Sequence, residues 1–90
     1  MHKRIIKQKK HTEHYQRDKL HRSIHASCLS VRDFVGAAEL TAKHVCDGVE
    51  EWLEQKHEVT SADISRVAGT ILYKYSPSAA YIYVTIHDVN

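Results

Sequence analysis

Residues 4–20, RIIKQKKHTEHYQRDKL, constrain the fold more than any other stretch. Two short runs with apolar anchors, Ile5-Ile6 and residues 12–15, flank a polar tip at Lys9, Lys10 and His11. Gln16, Arg17, Asp18, Lys19 and Leu20 then lead into a helical pattern. This order predicts a β-hairpin over 4–15 running directly into a helix. It gathers Lys7, Glu13 and Lys19 beside the positive end of a helix dipole. Two ammonium groups and one carboxylate so placed suit a polyphosphate whose other end donates hydrogen bonds.

The charge is uneven along the chain. Eight of the thirteen Lys/Arg and two of the eleven Asp/Glu lie in residues 1–22, so a formal charge of +2 conceals a basic beginning and an acidic remainder. A basic segment of this kind points to an anionic ligand, either a nucleotide or a nucleic-acid backbone. The plainer alternative is a solvated edge strand whose lysines oppose aggregation. Ninety residues make one small domain with a single core and a narrow stability margin. No apolar run is long enough to cross a bilayer, and there is no charged-then-apolar leader. Two cysteines, Cys28 and Cys46, make no disulfide framework. The expected setting is the cytoplasm, with both thiols reduced.

Four helices are expected, over about 17–28, 31–55, 61–75 and 77–88. Leu20, Ile24 and Cys28 recur at four-residue steps and form the apolar stripe of the first. Ser30 with Asp33 reads as a capping box opening the second. Phe34, Ala38, Thr41, Val45, Val49 and Trp52 mark one face of that helix, and Phe34 and Trp52 read as core rather than as a stacking platform. Glu39, Lys43, Asp47, Glu50 and Glu54 mark the other face, where each i, i+4 pair of opposite charge contributes ~0.3 kcal/mol at most. Gly36 and Gly48 each weaken a helix by ~1 kcal/mol relative to Ala, which close packing would explain. Thr60 with Asp63 reads as a second capping box, with Ser61 as an alternative cap, after a short extended segment at 58–60. Ile64, Val67, Ala68, Ile71, Leu72 and Tyr75 line the third helix. Ser76-Pro77 supplies an N-cap and a favoured first residue for the fourth, although residues 81–86 are rich in β-formers. The expected class is α+β: a small hairpin or three-stranded sheet covering a four-helix cluster.

Eight histidines raise the question of a metal. His21 and His25 are four apart on the first helix, with His11 and His14 nearby, yet no carboxylate or cysteine completes a ligand spacing, and no metal site is expected. No catalytic constellation is spaced for reaction, so an enzyme is not expected. There is no Gly-rich phosphate loop and no dinucleotide fingerprint, so a nucleotide site must be of another type.

Four patches, in order, carry a family resemblance: Ile6-Lys7 followed by residues 13–20 (EHYQRDKL), residues 23–26 (SIHA), residues 59–64 (VTSADI), and Ala80-Tyr81 after Pro77. From residue 4 to about 88 the chain resembles the ATP-cone domain, the regulatory nucleotide-binding module of many ribonucleotide reductase large subunits and of the repressor of their genes. The resemblance implies ATP or dATP as effector, with or without Mg, and no chemistry within the domain. It implies a response by changed self-association or by docking to parent reductase or repressor domains. By similarity Lys7, on a strand with Ile6 and Gln8, binds phosphate, and Lys19 stands where the family has a lysine opening the first helix. Glu13 and Gln16 fall at the base and sugar end, and Ser61 falls near the phosphates beside Thr60. Three positions depart from the family pattern. Gln8 stands where a second cation is usual, Lys10 where glycine is frequent at the tip, and Tyr83 where an arginine is found. The differences bear on affinity and on the choice of ATP over dATP.

The residues read by themselves fit the same ligand. Lysines neutralise a triphosphate as point charges. Glu13 can accept the adenine amine, which guanine lacks at that edge. Hydroxyls and N–H groups at Thr60 and Ser61 can donate to phosphate. The alternative function is a small basic domain that binds nucleic acid or docks a protein and has a degenerate nucleotide site. Tyr15 is the one aromatic in the basic region, which disfavours single-strand stacking.

Overall fold

The computed structural model describes residues 4–6, 12–56 and 58–89. Strands β1 (Arg4–Ile6) and β2 (Thr12–His14) pair antiparallel, with Arg4 opposite His14, Ile5 opposite Glu13 and Ile6 opposite Thr12. Four helices follow: α1 (Arg17–Ser30), α2 (Val35–Leu53), α3 (Ser61–Tyr75) and α4 (Pro77–Val89).

The architecture corrects the expected α+β class: the body is all-α. The helices run to 14, 19, 15 and 13 residues, while each strand has three. Two strands of that length cannot make a layer of their own. The helices pack on one another in a ring, α1 on α2, α2 on α3, α3 on α4 and α4 on α1, whereas the strands pack chiefly on each other. Among the described residues no third strand forms. Val59 makes a single β-bridge and its neighbours make none.

The core explains the helical result. Ile24, Cys28, Ala38, Ala42, Val45, Cys46, Val49, Leu53, Ala68, Leu72 and Ala79 are fully buried, and Tyr83 is nearly so. On α2 the buried positions 38, 42, 45, 46, 49 and 53 follow the helical period. This stripe is rotated from the expected one: Leu53 takes the place of Trp52, which packs partly buried at the margin. Small side chains let the helices approach closely. A Cβ on Gly48 would lie 2.8 Å from Ile71 Cδ1, and one on Gly69 would lie 2.9 Å from Val84 Cγ2.

Side-chain caps stand at two of the four helix starts. Thr60 caps α3: its hydroxyl accepts from the Asp63 N–H (3.0 Å), and the Asp63 carboxylate accepts from the Thr60 N–H (3.1 Å). Ser76 Oγ accepts from the Ala79 N–H at the start of α4 (3.2 Å), and residues 81–86 are helical despite their β preference. The start of α2 is a correction. Ser30 does not cap it; it remains in α1 and donates its hydroxyl proton to the Ala26 carbonyl (2.9 Å). Arg32 then turns through φ 66° and α2 begins at Val35, not Val31. Phe34, expected in the core, therefore stands outside the helix and is 86% exposed.

Among the described residues no helix is long and apolar enough to cross a membrane.

Candidate functional site

Contacts between neighbouring helices show which ends meet. Arg17 reaches Asp47 and Glu50, and His25 reaches Glu39, so α1 and α2 run in opposite senses. His44 stacks on Tyr75 while Gly48 abuts Ile71, so α2 and α3 do the same. The beginnings of α1 and α3 consequently face one end of the ring. That end receives β2, which joins α1 through Tyr15 and Gln16 alone.

The site residues named from the sequence fall around that end. Ile6 closes β1 opposite Thr12, and Glu13 sits in β2 opposite Ile5. Lys7 and Gln8 lie outside the described residues, as do the hairpin tip and the side chains of Ile6 and Glu13. The grouping of Lys7, Glu13 and Lys19 therefore rests on sequence. Gln16 is the exposed N-cap residue of α1; its side chain makes no capping bond, and its carbonyl accepts from the Leu20 N–H (3.3 Å). Lys19 is exposed on the first turn. Three residues on, Arg22 is exposed too, and neither has a carboxylate partner among the described residues.

At the start of α3, Thr60 is half-buried and Ser61 exposed. The capping box already uses the N–H groups of Thr60 and Asp63. The donors left for a ligand are the two hydroxyl protons and the N–H groups of Ser61 and Ala62. The Asp63 carboxyl is held below its ordinary range, first by the Thr60 N–H, with Arg66 3.7 Å away. A carboxylate in the first turn uses part of the positive potential that a phosphate would seek there.

A feature that the sequence did not disclose joins this end to α2. The Tyr15 hydroxyl donates to Glu50 Oε2 (3.0 Å). The same oxygen receives Arg17 Nη1 (2.9 Å), and Arg17 Nη2 reaches Asp47 Oδ1 (2.9 Å). Asp47 Oδ2 takes Lys43 Nζ (3.2 Å). Tyr15 is 7% exposed, and burial is the main reason its phenol is pushed well above the ordinary range, so it stays a donor. The bond to Glu50 is the largest influence raising Arg17, and the bond from Lys43, followed by that from Arg17, lowers Asp47. Arg17 is thus balanced by carboxylates of α2, whereas Lys19 and Arg22 are exposed and have no carboxylate partner among the described residues. The sequence signal is the run of acidic residues on α2, Glu39, Asp47 and Glu50, together with the cations of α1.

A third carboxylate of that run sits between two histidines. Glu39 Oε1 is 3.2 Å from His21 Nε2, and Oε2 is 3.4 Å from His25 Nε2, with the rings stacked at 6.0 Å. His25 Nε2 is buried without a well-directed hydrogen bond. Among the described residues no group of three such side chains is arranged to hold a metal ion. A cavity of about 230 Å³ between α1 and α4 is lined by Ser23, Ala26, Ser27, Ser30, Tyr83 and Ile86. It has no cation, and the hydroxyls of Ser27 and Ser30 are turned back onto their own helix, so it is unsuited to phosphate. Comparison with family models and with curated proteins gave no match to this chain.

Proposed function

We propose that the chain is a regulatory module that binds an adenine nucleotide, ATP or dATP, and answers by changing its self-association or its docking to a larger partner. The ATP-cone resemblance supplies the ligand class and a link to ribonucleotide reductase or its gene control. The observation that carries the reading is the exposed cationic first turns of α1, with Lys19 and Arg22 unpaired among the described residues, at the same end as the start of α3. In this reading Lys7 and Lys19 take the phosphates, aided by Gln8, Thr60 and Ser61. Glu13 accepts from the adenine amine, Gln16 meets the sugar, and Ile6 lies against the nucleotide. No reaction is assigned to the domain, and its place is the cytoplasm.

Calorimetric titration with ATP, dATP and GTP tests this. The expected result is adenine-selective binding that persists at moderate salt and is lost in Glu13→Ala. Equal binding of any polyanion, falling steeply with salt, would replace it with the nucleic-acid reading.

A further inference from the structure

We propose that Tyr15, Arg17 and Glu50 form a clamp that fixes how the hairpin meets α1 and so presets the nucleotide end of the molecule. The inference rests on the nucleotide reading for its ligand, but the clamp itself is read from the structure.

β2 ends at His14 and α1 starts at Arg17, so two residues set the angle between them. One of those residues, Tyr15, is anchored twice: its ring belongs to the core cluster, and its hydroxyl ends on Glu50 Oε2. The first residue of α1 ends on the same oxygen and, with its other arm, on Asp47. The anchor is therefore on α2, a different element from those it orients, and Glu50 is its pivot. Hydrogen bonds to charged groups are stronger and more directional than neutral ones, so this arrangement holds an orientation that apolar packing alone would leave looser.

The cations divide by task. Arg17, Lys19 and Arg22 lie within two turns of α1. Arg17 turns to α2, while Lys19 and Arg22 remain exposed. With its charge already balanced by two carboxylates, Arg17 contributes little attraction to a polyphosphate. Its effect on binding comes through geometry, as a positioning residue, and so do those of Tyr15 and Glu50.

Glu50→Gln removes the charge from the shared acceptor and Tyr15→Phe removes one hydrogen bond, each while nearly preserving shape. Asp47→Asn, which leaves the bonds to Glu50 intact, serves as comparison. Two readouts are taken on the full chain. The first is amide hydrogen exchange without nucleotide. The second is ATP affinity by calorimetry, below the unfolding transition of every variant. Loss of a charge-assisted bond predicts exchange at residues 12–16 faster by about tenfold in Glu50→Gln, with the amides of α3 and α4 unchanged. ATP affinity should fall by a similar factor, and Asp47→Asn should change both readouts less. Unchanged exchange at 12–16 overturns the clamp. Faster exchange with unchanged ATP affinity overturns the positioning role and leaves a purely structural bond. If the unaltered chain ignores ATP, the nucleotide reading fails and presetting falls with it, while the exchange data still decide whether the clamp holds the hairpin.

Discussion

Replacing the three glycines by alanine, one at a time, turns the helix packing into a graded test. Alanine is favoured over glycine in a helix by about 0.5–1 kcal/mol, and that gain is available at each site in proportion to how helical the position is. What differs is the space. At Gly36 nothing lies within 4 Å of an added Cβ, so Gly36→Ala should be stabilising by up to about 1 kcal/mol. At Gly48 the Cβ meets the terminal methyl of Ile71 at 2.8 Å. That methyl can rotate away, so the clash and the propensity gain should nearly cancel, within about 0.5 kcal/mol. At Gly69 the Cβ meets Val84 Cγ2 at 2.9 Å, and a β-branched side chain within a helix has one strongly preferred rotamer. Relief there must move α3 from α4, and Gly69→Ala should cost about 1–3 kcal/mol. In a domain this small, 1 kcal/mol corresponds to roughly 4–8 °C in melting temperature. Thermal and urea unfolding of the three variants should rank Gly36→Ala above Gly48→Ala, and Gly48→Ala above Gly69→Ala. A Gly69→Ala protein at least as stable as the parent would refute the close α3–α4 packing.

Phe34→Ser should change stability by less than about 0.5 kcal/mol in urea, because the ring is 86% exposed, whereas Leu72→Ala should cost about 2–5 kcal/mol. Asp63 has a depressed folded-state pKa, so its contribution is present above the unfolded carboxyl pKa of about 3.9 and is lost as pH falls through the lower folded value. The difference in urea midpoint between the parent and Asp63→Asn should be open at pH 6 and close progressively below about pH 4; a constant difference would remove the ionic part of the capping box. Burial pushes the Cys28 and Cys46 thiols up to about 11, so a thiol reagent at pH 8 should label neither until denaturant is added. Fast labelling under native conditions would contradict their burial.

The parts legible in the sequence were those governed by near neighbours. Thr60 acts on Asp63 three residues on, Ser76 stands directly before Pro77, and both helix starts formed where those pairs stand. The same rule failed at Ser30 with Asp33. There a competing local bond, from Ser30 to the Ala26 carbonyl, extended α1, and the left-handed turn at Arg32 moved the start of α2. That shift put Phe34 into solvent. The expected class failed for a reason of scale: alternation around residues 4–15 is visible, but it does not tell how few residues will pair. The site divides in the same way. Lys19 and Ser61 could be placed on helix starts from spacing alone. Glu50 and Asp47 could not be tied to Tyr15 and Arg17, because their partners lie about thirty positions away and are chosen by how α1 lies on α2. For the same reason Glu39 was not seen to lie between His21 and His25.

The melting temperature of the full chain in ATP, compared with inorganic tripolyphosphate at matched ionic strength, tests the central claim most directly. A ligand at about 100 times its dissociation constant adds roughly 2.7 kcal/mol to the native state. The expected result is a saturating rise in ATP or dATP that GTP and tripolyphosphate do not reproduce. No rise at millimolar adenylate, or an equal rise with bare tripolyphosphate, would contradict it.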